Sequence, residues 1–384
     1  MNFLLILLLF LVWRSFDFLV IFFSQKIIPY LGFFPYRDQL PGFNLPHWLS
    51  SLANFDGLHY IFIARDGYVQ YEQAFFPLYP LSIKFLTPLF FNNQLLTGLL
   101  ISNVSFFLGL FFFYKYLKLI FPNNQQSNNL TIIFLLLFPT SFFLGAVYTE
   151  GLFFLLTVST LYFLKKEKYL FVAVFAFLAS LTRLVGVFLL IPILFHYLSL
   201  RVKRSNFNNK YFVSLLSPLI GLALYCFYLF KTTGDPLFFL TSQPIFGANR
   251  SSHLILLPQV YWRYLKIFFT ANWDFRYFVS ILEFSFFSFV LIILILDLTR
   301  LASRAKRVKN LSLLGLNLFS FANLILPPLT GTFSSIPRYS LFSLSFFIYL
   351  AHIKNNFIKY LFFIIFITLH ILLLGYFTQG YFIS

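Results

Sequence analysis

Ionisable side chains are sparse in this chain, with 11 Asp and Glu and 28 Lys and Arg among 384 residues. The informative ones fall in short polar clusters. The first cluster is Asn54-Phe55-Asp56-Gly57 with His59, followed by Ala64-Arg65-Asp66-Gly67-Tyr68 and Phe75-Phe76-Pro77-Leu78-Tyr79-Pro80. Further along come Tyr148-Thr149-Glu150, Thr182-Arg183 and Ser334-Ser335-Ile336-Pro337-Arg338-Tyr339. A carboxylate can take the proton of an attacking hydroxyl. Arginine presents a planar fork to phosphate oxygens. A carboxylate beside arginines at a membrane boundary therefore suits a substrate with a phosphate head and a lipid tail, provided the clusters meet in one cavity.

Each of these residues also has a structural use. Asp56 is of the type that caps a helix, here one beginning at Gly57. Arg183 and Arg338 could snorkel to lipid phosphates. Glu150 suits the first turn of a helix. His59 lies three residues after Asp56 on the same helical face and serves equally as a hydrogen-bonded structural histidine. Arg14 and Asp17, spaced i, i+3 in an apolar run, can neutralise each other. Glu283 and Asp297 fall near the ends of a span.

The elements that must position these residues are membrane spans. Hydrophobic residues make up 60% of the chain and charged ones 10%, with 61 Phe and a mean hydropathy of +0.84. Soluble globular chains are about 45–50% apolar and about 25% charged. A soluble enzyme, a disordered chain and a disulfide-stapled secreted domain are thereby excluded. The lone Cys226 leaves no thiolate set for zinc or iron–sulfur. The sequence predicts an all-α polytopic membrane protein, a single integral membrane domain over 1–384. About eleven apolar runs are candidates to span: 2–23, 95–119, 130–146, 149–164, 169–182, 184–199, 211–230, 280–299, 311–327, 338–353 and 357–377. Two long Pro-bearing stretches, about 24–94 and 231–279, do not span and are expected to roof a cavity.

The formal charge of +17 is read as loop charge that sets topology, not as a nucleic-acid surface. Basic residues crowd alternate loops, at Lys115, Lys118, Lys165, Lys166, Lys168, Arg201, Lys203, Arg204, Lys210 and from Arg300 to Lys309. The positive-inside rule then predicts a cytoplasmic N-terminus. Under that orientation the polar clusters share the external face. Residues 2–12 lack the basic start and small-residue cleavage site of a signal peptide and are taken as part of the first span.

The stretch Asn54 to Pro80, NFDGLHYIFIARDGYVQYEQAFFPLYP, resembles the first luminal loop of the GPI mannosyltransferase 2 (PIG-V-like) family, including its bacterial members. That family's pattern is an aromatic–Asp pair, then IA..GY, then FFPLYP. Ordered matches follow at Phe138-Pro139-Thr140-Ser141, Tyr148-Thr149-Glu150, Thr182-Arg183-Leu184-Val185-Gly186, Thr233-Gly234-Asp235-Pro236 with Gln243, and Ser335-Ile336-Pro337-Arg338-Tyr339. The first loop is the specific part. Phe55 stands where many members carry Trp, and Thr149 where many carry Ser; both keep the chemical type.

The resemblance implies a C-type glycosyltransferase fold (GT-C), a catalytic acid in the long first loop, and a polyprenyl- or dolichyl-phosphate-mannose donor. On that reading Asp56 is the catalytic base, and Arg183 and Arg338 hold the donor phosphate. His59, Tyr79, Tyr148, Glu150 and Gln243 would meet the sugar or acceptor. The acceptor would be a lipid-linked or surface glycan at the external face, reached with inversion at the anomeric carbon. No cofactor is expected, although a divalent metal beside Asp56 stays open, and no nucleic acid is expected. The membrane would be the plasma membrane in a prokaryote and the ER in a eukaryote. The alternatives are transfer of another polyprenyl-phosphate-linked sugar, or a transporter or flippase for a lipid-linked sugar. A transporter should carry polar groups through the midplane in repeated halves, and no such repeat is visible.

Overall fold

The computed structural model describes residues 3–202, 210–246, 250–251, 253–303 and 308–383. Among the described residues the secondary structure is helical, with no strand. In chain order the helices used below are α1 (Phe3–Ile27), α2 (Asp56–Asp66), α3 (Leu78–Leu86), α4 (Gln94–Ile120), α5 (Gln125–Leu137), α6 (Glu150–Lys165) and α7 (Tyr169–Thr182). They continue with α8 (Leu190–Val202), α9 (Lys210–Thr233), α10 (Leu257–Thr270), α11 (Phe275–Ala302), α12 (Val308–Ile325), α13 (Leu344–Ala351) and α14 (Asn356–Thr378). Side-chain caps start several of them. Asn93 accepts from Leu96 N at 3.0 Å, Asp274 from Tyr277 N at 2.9 Å, and Asn355 from Phe357 N at 2.9 Å.

Among the described residues, six helices are long and apolar enough to cross a membrane: α1, α4, α9, α11, α12 and α14. The polytopic all-α reading therefore holds. Of the other five expected spans, 149–164 and 169–182 form unbroken but shorter helices at Glu150–Lys165 and Tyr169–Thr182, whereas 130–146, 184–199 and 338–353 are broken. The breaks have local causes. Phe138 precedes Pro139 and takes extended backbone, so α5 stops at Leu137. The chain then runs through the short turn Ser141–Gly145, with every residue from 138 to 149 buried. Arg183 sits in extended backbone between α7 and the tight turn Leu184–Leu189. Residues 334–343 form two short turns around Pro337 before α13. Non-helical backbone at membrane depth is tolerated only inside protein or along a cavity. The breaks at 138–149, 183 and 334–343 coincide with the polar clusters.

Close helix contacts hold this arrangement. α4 packs on α6, α7 on α9, and α8 on α12. A Cβ on Gly151 would enter the carbonyl oxygens of Leu144 and Ser102, and one on Gly221 would enter Ser180 Oγ and the Phe177 carbonyl. Small residues allow such approaches where no hydrophobic drive separates helix from lipid. Aromatic rings fill the rest. Phe138 meets Phe286, Phe346, Phe347 and Phe366 edge-on, with centroids 5.3 to 6.0 Å apart.

A buried polar network ties α1 and α14 to the broken segment. Arg14 donates to Asp17 Oδ2 at 3.2 Å and to the Gly145 carbonyl at 2.9 Å. His370 Nε2 lies 2.8 Å from Asp17 Oδ1, and its Nδ1 lies 3.3 Å from Ser141 Oγ. The first long loop is tied down as well. Asn54 Nδ2 donates to the Phe377 carbonyl at 2.9 Å, and Leu31 N to the Gln379 carbonyl at 2.9 Å. The second long segment contains α10. Its Tyr264 hydroxyl donates to Glu283 Oε2 at 2.5 Å and accepts from Phe333 N at 3.1 Å. The opposite face of α10 and the turn after it expose Trp262 (68%), Phe269 (87%) and Trp273 (89%), the pattern of a helix lying in a membrane interface.

Candidate active site

Asp56 is the first residue of α2, so its carboxylate meets the positive end of that helix. It does not cap the helix; Phe55 occupies the cap position. Phe55 has φ 61°, ψ −118°, a conformation that side-chain-bearing residues rarely adopt. Such a backbone costs on the order of 1–3 kcal/mol and persists where its surroundings over-determine it. Here the Phe55 ring is wedged among Phe34, Phe377 and Phe382 at 4.6, 5.8 and 5.3 Å. The Asn54 carbonyl just before it accepts from Tyr148 Oη at 2.7 Å.

Arg338 comes from the other end of the chain. Ser335, with φ 69°, turns the chain into the short helix Ile336–Tyr339. Arg338 Nη1 then donates to Asp56 Oδ2 at 2.8 Å, while its Nε lies 3.5 Å from Glu150 Oε1. Glu150 is the first residue of α6 and is buried. It accepts from Arg183 Nη1 at 2.5 Å, and the same nitrogen reaches Thr149 Oγ1 at 2.9 Å. Asp56, Arg338, Glu150 and Arg183 thus form one chain of alternating charge drawn from four separate segments. Aromatic faces enclose it. The Arg338 guanidinium lies 5.2 Å from the Tyr148 ring and 5.4 Å from that of Phe143, and Arg183 lies 5.0 Å from that of Tyr339.

The buried members are shut from solvent, with side-chain exposure of 1% for Glu150 and 7% for Arg338, but the Asp56 side chain keeps 31%. The reachable carboxylate is therefore that of Asp56. Burial would raise its pKa, but the Arg338 charge and hydrogen bond, with smaller effects from His59 and Arg250, hold it below the usual carboxylate value. Tyr339 reports the positive surplus around it. Burial pushes its hydroxyl up, yet the charges of Arg250, Arg338 and Arg183 bring it below the ordinary phenol value.

The other predicted residues divide. Tyr148 lies under Arg338 with its hydroxyl committed to Asn54, so it supports the carboxylate from behind. Gln243 enters the neighbourhood through Arg250, whose Nη1 donates to Gln243 Oε1 at 2.8 Å and whose Nη2 lies 3.5 Å from Ser335 Oγ. His59 faces Glu72 Oε1 at 3.2 Å and stacks on Phe75 at 5.1 Å. Tyr79 is fully buried, and its hydroxyl meets the Gly98 carbonyl and Ser102 Oγ at 3.0 and 2.8 Å. Its place is in the α3–α4 packing. The sequence marks Phe55 only as a departure from the family pattern and does not single out Arg250. Nothing around Arg250 marks it in one dimension, and a backbone angle leaves no trace in residue type. Among the described residues, no group of three or more His, Cys, Asp and Glu is placed to hold a metal ion.

A helical membrane bundle that gathers acids and arginines from its broken segments is a polytopic membrane protein with a charged, partly enclosed site. The chain belongs to the mannosyltransferase (PIG-V) family, whose model matches residues 6–233. It is also similar to the human (Homo sapiens) GPI alpha-1,6-mannosyltransferase 2, with 35% identity over 123 residues. That match covers 29% of this chain and 25% of the human protein, so it spans about a quarter of the relative's length. Asp56, Tyr148, Glu150 and Arg183 lie within the family match, whereas Gln243, Arg250 and Arg338 lie beyond it.

Proposed function

We propose that this protein is a glycosyltransferase that moves mannose from a polyprenyl-phosphate donor to a hydroxyl of a lipid-linked or surface glycan at the external face of the membrane. The observation that carries the reading is the Asp56 carboxylate, fixed by a strained backbone at a helix N-terminus, 31% exposed, and bonded to an arginine 2.8 Å away. Family membership supports the sugar transfer. The cationic surroundings support a phosphate leaving group.

The step is a single displacement. The acceptor oxygen forms a bond to the anomeric carbon, and its proton passes to Asp56. The bond from that carbon to the phosphate oxygen breaks, and the phosphate leaves with the electron pair. Attack opposite the leaving group inverts configuration, so a β-linked donor gives an α-mannoside. While Arg338 grips Asp56 the carboxylate is a weak base. Drawing Arg338 toward an incoming phosphate frees it to accept a proton. Arg183 holds Glu150, and Glu150 in turn holds Arg338 in place.

The test is transfer from radiolabelled polyprenyl-phosphate mannose in membranes containing wild type or Asp56→Asn, offered a pool of lipid and glycan acceptors. Wild type is expected to move label, and the variant to lose about 10²- to 10⁴-fold, the usual worth of a general base. Equal turnover in the two would remove Asp56 from that role. Transfer from another polyprenyl-phosphate sugar but not from mannose would correct the donor.

A further inference from the structure

Of the three arginines around the site, two are already committed to carboxylates. Arg183 is paired with Glu150, and Arg338 bridges Asp56 and Glu150. Arg250 differs. Among the described residues it has no carboxylate within ion-pairing distance, only the neutral oxygens of Gln243 at 2.8 Å and Ser335 at 3.5 Å. It is half-buried. Two neutral contacts leave part of a guanidinium's five-donor fork unused.

The chain that follows it is held in place. Ser251 N donates to the Thr330 carbonyl at 2.8 Å and Ile255 N to that of Leu329 at 2.9 Å, which lays this strip along the segment leading to Ser335. Ser335 in turn starts the short helix carrying Arg338, which holds Asp56. The Arg250 charge is felt at Asp56, at Tyr339 and, on the far side, at Glu283, whose carboxylate is occupied by Tyr264 Oη at 2.5 Å. Three guanidiniums thus face the two carboxylates of the central chain, Asp56 and Glu150. A guanidinium bonded to no carboxylate suits a sugar–phosphate–lipid diester, which carries a single negative charge.

We propose that Arg250, oriented by Gln243 and Ser335, is the primary contact for the donor's isoprenyl-linked phosphate, and that Arg338 joins it only as it releases Asp56. This rests on the lipid-phosphate donor of the proposed function. It reassigns the first phosphate contact from the two paired arginines to the one without a carboxylate. It also gives Gln243 a role: it orients Arg250 and need not touch sugar.

The test is equilibrium binding of citronellyl phosphate, a short isoprenyl phosphate, and separately of inorganic phosphate, to the full-length protein in detergent. Wild type is expected to bind citronellyl phosphate. Arg250→Ala should weaken that binding about 10- to 100-fold, the range for losing a charge-assisted contact. Arg250→Lys should recover part of it, because charge returns without the fork. Gln243→Ala should give a smaller loss, and Asp56→Asn should bind at least as tightly as wild type. Thermal unfolding of each variant separates lost binding from lost fold, with Arg250→Lys carrying the test if the alanine variant unfolds. Wild-type affinity in Arg250→Ala would overturn the assignment. Inorganic phosphate binding as tightly as citronellyl phosphate, with the same dependence on Arg250, would overturn the lipid source. Arg250-dependent citronellyl phosphate binding in a protein that transfers no mannose would leave this site standing and remove the mannose reading. Mannose transfer with binding indifferent to Arg250 would do the reverse.

Discussion

At the scale of single residues, the site is governed by who holds Asp56. Its carboxyl is depressed by Arg338, so the ionised form is favoured in the folded protein. The stability this contributes is complete above the ordinary carboxylate value and is lost as pH falls through the depressed one. Arg338→Ala is therefore expected to flatten the acid limb of thermal stability measured from about pH 7 down to about pH 3. Wild-type acid sensitivity in that variant would place the titrating group elsewhere. Tyr148→Phe removes the hydrogen bond to Asn54 and keeps the ring under Arg338. It should lower turnover several-fold and cost about 1 kcal/mol of stability, read by initial rates and denaturation. The sequence was most informative at this scale. Asp56, Glu150, Arg183 and Arg338 are legible in the sequence because charges are rare in this chain and stand out beside its apolar runs. Their partners were not legible. Pairing Asp56 with Arg338 bridges 282 positions, and nothing local encodes it. His59 and Tyr79 belong to the same motif as Asp56, and in the structure His59 Nδ1 faces Glu72 while the Tyr79 hydroxyl meets Ser102.

At the scale of elements, the breaks matter more than the spans. The buried run 138–149 delivers Glu150 to the site, and Gly151 lets α6 start against the Leu144 and Ser102 carbonyls. Gly151→Ala is expected to destabilise by about 1–3 kcal/mol through overpacking, and to reduce transfer further because Glu150 moves with it. Normal activity in a correctly folded Gly151→Ala protein would contradict this account. The network under that run can be tested by charge balance. Asp17→Asn leaves Arg14 buried and uncompensated, a loss of about 3–5 kcal/mol. Replacing both Arg14 and Asp17 with leucine should recover much of it, as seen by unfolding in detergent. The double variant would still lack the Gly145 and His370 tethers, so its activity should stay below its recovered stability. Periodicity could not reveal the breaks, since residues 130–146 carry no charge and read as one span; Pro139 with the polar Thr140 and Ser141 gave the hint of a break.

At the scale of the whole molecule, composition decided the class before any residue was weighed. Sixty-one phenylalanines fill the interior with edge-on ring contacts and cover the outside with lipid-facing surface. The amphipathic α10 adds a belt beside the segment that carries Arg338. If that belt lies in the interface, Trp262 and Trp273 should be quenched by lipids brominated or spin-labelled near the headgroup. Label at the chain ends should quench them little, measured against a variant lacking both. Strong quenching from the bilayer centre would move α10 into the core. The loop-charge pattern predicts the N-terminus on the opposite side from this belt. Accessibility of a cysteine placed after Lys166, with Cys226 replaced, checks that orientation.

The ties between α1, the first loop and α14 carry a consequence for how the protein is made. Asp17 and His370 lie 353 positions apart, and Asn54 and Phe377 lie 323 apart. A ribosome delivering this chain to the membrane must release α1 into lipid long before its last partner has been synthesised. The Arg14–Asp17 contact lies wholly within α1, so the nascent helix can shelter its own charges during that wait. Asn54, two residues before Asp56, acquires its Phe377 anchor only after α14 has been inserted. A partly synthesised chain then lacks the tether that holds the Asp56 segment until α14 has been made.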